Sequence, residues 1–360
     1  MRYRLALLAV VLQVFALAYM AGEREWILRT GLTILLRTAP IDPNDPMRGD
    51  YARLDYDIST VTKEQCRDGA LKMFAPNGYV YSRQWRDTRV FATLKINETG
   101  VAELDTVSDR VPDSGLYIRG RIESVNDRTL RIRYGIEALF MQQGTAQKLE
   151  DTRRHDRPGV PLDTKVALGS SGIAVLKDYQ WEPLGITVTF ERTPTTREQT
   201  GNAAQSQLRQ QPRQAITGIV AVLKNYGPED VAVVDLPDAG SFRLVSDTRW
   251  QESRYLWVGE SQPTISPKLE AINLIVLKPG QSHPTKIDLT QPQWYVIDTK
   301  AKAEQQKPIA LRDVTETWAA SFRVEYSPLP PASVTTLPHA ELIRHGTLRS
   351  RAFNPNQGVD

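Results

Sequence analysis

Residues 40–58 read Pro-Ile-Asp-Pro-Asn-Asp-Pro-Met-Arg-Gly-Asp-Tyr-Ala-Arg-Leu-Asp-Tyr-Asp-Ile, and here a proline-stiffened approach turns into a strand. Pro40, Pro43 and Pro46 fix their own φ and bias the residue before each toward extended geometry, so Asp42 and Asp45 are expected in extended or turn conformations. Gly49 permits a turn. From Tyr51 the pattern alternates, with Tyr51, Arg53, Asp55 and Asp57 on one face and Ala52, Leu54, Tyr56 and Ile58 on the other. Period two is the signature of a half-buried strand, and this one is read as the first strand of its domain. Tyr56 falls on the apolar face and is expected in sheet packing; Tyr51 falls on the opposite face.

Upstream, Leu5 to Gly22 are almost all apolar and follow Arg2 and Arg4 with no acidic residue before them. Eighteen residues at about 1.5 Å each span about 27 Å, enough for a thin bilayer. The basic start predicts an N-terminus in the cytoplasm and the bulk of the chain outside it. A cleavable signal peptide is the competing reading, because Ala16-Leu17-Ala18 fits a small-x-small cleavage site. The anchor is favoured because a second apolar set, Trp26, Ile27, Leu28, Leu32, Ile34, Leu35 and Leu36, continues past Glu23-Arg24-Glu25. Its mixed spacing suits an interfacial segment as well as a core helix.

Downstream, alternating segments recur at Tyr79–Tyr81, Val90–Ile96, Leu116–Val125 and Leu130–Ile136, separated by Asn-, Asp- and Gly-rich turns. Leu116–Val125 and Leu130–Ile136 read as a hairpin, and Gln147–Asp151 as a short helix. Arg53-Leu54-x-Tyr56-x-Ile58 is echoed by Arg131-Ile132-x-Tyr134-x-Ile136. Two short matches do not make a duplication, and the plain reading is two strands with an inward Tyr and Ile. Residues 193–213 offer almost nothing to bury and read as a flexible linker. Beyond it, short strands with Gly/Pro turns predict a β-sandwich.

The order Gly49-Asp50-Tyr51-x-x-Leu54-x-Tyr56 resembles the signature of the bacterial GDYXXLXY family, with Arg48 before it. The flanks agree: Glu25-Trp26 and Leu28-Arg29-Thr30-Gly31 before, and Leu130 to Glu137, Val166-Ala167 and Ala174-Val175-Leu176 after. The likeness covers about residues 1–190. It implies a membrane-anchored bacterial envelope protein without an assigned activity, and a multi-spanning membrane protein as the expected partner. More weakly, Leu277 to Ser282, Ile287-Asp288-Leu289 and Phe322 to Tyr326 resemble the strand order of bacterial immunoglobulin-like envelope domains.

Composition narrows the class. A net charge of +3 from 45 basic and 42 acidic side chains, with no aromatic-interleaved basic stripe, argues against a nucleic-acid surface. The single cysteine, Cys66, permits no intrachain disulfide and reads as a structural thiol. The aspartates 42, 45, 50 and 55 lack the spacing of a calcium loop, His339 and His345 lack common zinc spacing, and Gly169-Ser170-Ser171-Gly172 is a turn rather than a phosphate loop. Neither a metal nor a cofactor is expected. Candidate binding residues are Asp50, Tyr51, Arg53 and Tyr134; no catalytic residue is assigned.

The expected architecture is therefore mainly β: a single transmembrane helix, then two antiparallel β domains joined by a flexible linker. The bounds are 1–39 for the membrane anchor and juxtamembrane segment, 40–190 for the GDYXXLXY-type domain, 191–214 for the linker and 215–360 for the immunoglobulin-like sandwich. The expected function is a non-catalytic binding or scaffold module facing the periplasm from the bacterial inner membrane. Its rival is an exported hydrolase-type enzyme using Asp50 and Asp55.

Overall fold

The computed structural model describes residues 2–41, 51–74, 82–125, 129–142, 145–194, 214–247, 254–261, 272–302, 306–314, 320–329, 333–355 and 358–359. The chain is mainly β behind one N-terminal apolar helix, α1 (Arg2–Thr30). Two compact units are present: residues 1–152 with 161–181, and residues 153–160 with 182–360.

Among its described residues the first unit holds ten strands: β1 (Leu32–Ile41), β2 (Tyr51–Tyr56), β3 (Thr60–Thr62), β4 (Arg89–Ile96), β5 (Ala102–Ser108), β6 (Leu116–Val125), β7 (Thr129–Arg133), β8 (Ala138–Phe140), β9 (Leu162–Leu168) and β10 (Ala174–Trp181). They form two five-stranded sheets, ordered β10-β9-β1-β2-β8 and β5-β4-β6-β7-β3. The named strands pair antiparallel throughout, and the expected hairpin is β6–β7, with a bulge between Ile122 and Ser124. The strand before the motif was not expected. Leu32–Ile41 is not an interfacial segment but the central strand of its sheet, paired with β9 on one side and β2 on the other.

The two sheet orders are the same order. Replacing each of β1 to β5 by the strand five places later, and the reverse, converts one sheet into the other. With β1–β5 as one half and β6–β10 as the other, each sheet combines the first two strands of one half with the last three of the other, so the halves are interwoven. The registers agree as well. Tyr51↔Phe140, Ala52↔Leu139 and Arg53↔Ala138 become Thr129↔Thr62, Leu130↔Val61 and Arg131↔Thr60 when numbers in β2 rise, and those in β8 fall, by 78. The β4–β5 and β9–β10 hairpins carry the same bulge, at Asp105 and Lys177. Their turns close alike, Gly100 N–H donating to Asn97 O at 3.0 Å and Gly172 N–H to Gly169 O at 2.9 Å. Both turn glycines have φ in the left-handed region, +79° and +75°. The Arg-x-x-Tyr-x-Ile echo is thus part of a structural repeat, not merely two similar strands.

One core serves both sheets, drawing Leu36, Leu54, Tyr56 and Val166 from one and Val61, Ile118 and Ile132 from the other, with Tyr134 from just past β7. Cys66 lies in it, and burial pushes its thiol up to about 11, above the range where it would react as a thiolate.

The second unit opens earlier than the motif pattern suggests. Leu184–Pro194 (β11) pairs along its whole length with Gln214–Asn225 (β12), so it groups with the strands that follow the polar run. Most of that run, 195–213, lies outside the described residues, as does the expected strand 79–81. Ser282–Asp288 completes the sheet on the far side of β12. The remaining strands gather around a core that includes Phe242, Leu244, Tyr255, Phe322, Tyr326 and Phe353. Tyr326 is spent on structure, its hydroxyl accepting the Val234 N–H at 2.8 Å.

Candidate functional site

Two places in the first unit gather the residues singled out by the sequence: the signature strand and the foot of α1. Within the signature, Arg48, Gly49 and Asp50 lie outside the described residues, as do the proline-rich positions 42–47. Tyr51 begins β2 opposite Phe140. Leu54 is buried, and its N–H donates to Glu137 O at 2.8 Å.

Tyr56 and Tyr134 form a reciprocal lock. The Tyr56 hydroxyl donates to Ile136 O at 2.8 Å, and the Tyr134 hydroxyl donates to Ile58 O at 2.7 Å. Each tyrosine therefore binds the carbonyl two residues past its counterpart in the other half. Tyr56 is 2 % exposed and Tyr134 6 %. Tyr134, expected among the binding residues, is therefore a core residue whose hydroxyl satisfies a backbone carbonyl. Glu137 braces the turn behind it, its carboxylate accepting the N–H groups of Tyr134 and Gly135.

The outward residues of the signature strand are also engaged. Asp55 pairs with Arg131 at 2.6 Å; Arg131 also meets Glu123 at 3.0 Å, and Arg53, the most exposed of the four, lies 4.0 Å from Glu123. The cluster holds two cations and two carboxylates across β2, β6 and β7, a balanced ladder rather than a charged patch.

Burial raises the Tyr56 and Tyr134 phenols well above their ordinary value of 10.0, with the Glu137 carboxylate adding in the same direction. Native pKa values above unfolded ones mean that this stability is complete below about pH 10 and is lost as pH rises beyond it. Ultraviolet titration should show these two phenols ionising only together with unfolding, so a Tyr56→Phe, Tyr134→Phe variant has two fewer groups in the late, cooperative phase. Ionisation of both in the early, reversible phase would contradict their burial.

The foot of α1 is the second place. Leu7–Thr30 is 24 residues long and apolar enough to cross a membrane. Leu7 to Met20 are exposed, so among the described residues none covers this stretch. The last turns are different. Ile27 is buried against Ala167 and Val175, Arg29 pairs with Glu25 at 2.7 Å, and Thr30 Oγ1 donates to Trp26 O at 2.8 Å. Gly31 alone separates helix from β1, and a Cβ there would meet Ile27 O at 2.5 Å and Leu168 O at 3.0 Å. A glycine is required because the backbones converge at this point. Across β1, Arg37 holds Asp163 through Nε at 2.6 Å and a second nitrogen at 3.3 Å, with Asp163 fully buried. A cleft of about 490 Å³ opens between the helix and the sheet ends, lined on the helix by Glu23, Trp26 and Thr30 and opposite it by Tyr117 of β6 and by Ser170 and Ser171 of the β9–β10 turn. Among the described residues no group of three His, Cys, Asp or Glu is placed to hold a metal ion.

An apolar helix that can serve as a membrane anchor or signal sequence, joined by one glycine to an interwoven β unit, defines the class of protein. Residues 13–178 match the model of the GDYXXLXY protein family, and this part of the chain belongs to that family. The match begins inside α1 and ends in β10, so it takes in the junction and both halves of the repeat. No curated protein and no solved structure matches the chain.

Proposed function

We propose that the chain is a single-pass, membrane-anchored cell-envelope protein acting as a non-catalytic binding or scaffold module, its β units facing the periplasm. The observation that carries this reading is the junction at Gly31. Ile27 is bedded in the first unit while Leu7 to Met20 are exposed, an arrangement suited to a permanent anchor that fixes the unit at the bilayer surface. Arg2 and Arg4 before the apolar run favour a cytoplasmic N-terminus.

The signature supports the same reading. Leu54 and Tyr56 hold the two halves of the unit together, and Asp55 is paired with Arg131, so these positions serve geometry rather than acid–base chemistry. The second unit is read as an immunoglobulin-like β-sandwich, supported by its antiparallel sheets around a shared core. The expected linker 191–214 overlaps β11 at 191–194 and β12 at Gln214, and its remainder lies outside the described residues. A multi-spanning membrane protein is the proposed partner. Crosslinking of the full chain in native membranes tests this: recovery of one such protein supports the scaffold reading, and recovery of lipids and abundant porins alone removes it.

A further inference from the structure

We infer that the cleft at the foot of α1 is a phospholipid site that selects a primary-ammonium headgroup. The inference rests on the membrane reading above and goes beyond it by naming the ligand.

Position comes first. The apolar run ends at Gly22, and residues 23–30 climb about 12 Å at about 1.5 Å each, through the polar layer of a leaflet. Glu23, Trp26 and Thr30 recur at helical spacing and line the cleft. The cleft therefore opens at headgroup height. Trp26, 70 % exposed, has the interfacial position that its amphipathic ring prefers. Below it, Leu8, Leu12, Phe15 and Tyr19 are exposed along one stripe of the helix, a track for acyl chains leading up to the cleft.

Charge then decides the headgroup. Among the described residues Glu23 is the one carboxylate in the lining, and no lysine or arginine lines it. The carboxyl-terminal end of α1 adds the negative end of the helix dipole on the same side. The Tyr117 hydroxyl is committed to Ser170 O at 2.9 Å, leaving the exposed Ser170 and Ser171 side chains as donors for a phosphate. An ammonium with three N–H donors can bond the Glu23 carboxylate directly, whereas a quaternary ammonium has no donor and an uncharged glycerol headgroup no charge.

The test uses the full-length protein. An alkaline carbonate wash of native membranes is the first arm: if the chain is stripped off, the membrane reading and this inference fall together. If it stays, purified protein is stripped of lipid in mild detergent and offered equal phosphatidylethanolamine, phosphatidylcholine and phosphatidylglycerol, and retained lipid is quantified by mass. The expected result is about tenfold enrichment of phosphatidylethanolamine, the size of one charge-assisted hydrogen bond. Glu23→Gln should abolish the preference without changing the thermal melt, and Ser170→Ala with Ser171→Ala should weaken retention of all three lipids alike. Equal retention of the three, a preference for phosphatidylglycerol, an unchanged preference in Glu23→Gln, or a polypeptide in the cleft would each overturn the inference while leaving the anchor intact.

Discussion

Tyr56→Phe lowers the stability of the first unit by about 1–3 kcal/mol, because Ile136 O loses its donor in a place water does not reach. Tyr134→Phe is expected to cost a similar amount through Ile58 O. Tyr56→Ala removes the ring as well and should cost about 3–5 kcal/mol, enough to deplete the folded protein. Denaturant midpoints of the detergent-solubilised chain check this. The two hydroxyls cross between the same two halves of the unit, so the double Phe variant should depart from additivity. Additive losses of a few tenths of a kcal/mol would show that the lock does not join the halves.

Asp163→Ala has an effect of the same order for a different reason. Arg37 and Asp163 stand directly opposite in the β1–β9 ladder, and removing the carboxylate takes this counter-ion from a partly buried guanidinium. Breaking a buried pair from one side costs about 3–5 kcal/mol, whereas Arg37→Met with Asp163→Leu should be nearly neutral. The pair also pins register: a one-residue slip would turn Ile34 and Leu36 outward and shift the end of α1 with them. Thermal melts of the two variants measure the first effect. If the double variant were as damaged as Asp163→Ala, a role beyond charge compensation would be needed.

The legible parts of the fold were those governed by one period. Ala52, Leu54 and Tyr56 alternate along a single strand, and Leu5–Gly22 is apolar on all sides, so both were readable locally. The set Trp26 to Leu36 was not, because helix and strand meet at Gly31 and superimpose two periods. Leu184–Phe190 alternates like its neighbours, and only its ladder to β12 assigns it to the second unit. The repeat left few marks in the sequence because most inward positions accept any apolar side chain: Leu54 matches Ile132, and Val61 matches Leu139. Only the tyrosine hydroxyls need a fixed partner, which is why the echo survives at Tyr56 and Tyr134. That echo was the available clue that Tyr134 is the structural counterpart of Tyr56. The cleft at the foot of α1 had no sequence signal, since Tyr117, Ser170 and Glu23 are brought together only by the sheets.

The central claim, that α1 is retained as the anchor of the β units, is tested most directly by the intact mass of the chain isolated from membranes. The account predicts a membrane-bound protein whose mass includes residues 2–30. A protein beginning at Tyr19, cleaved after Ala18 and recovered in the soluble fraction, would contradict it.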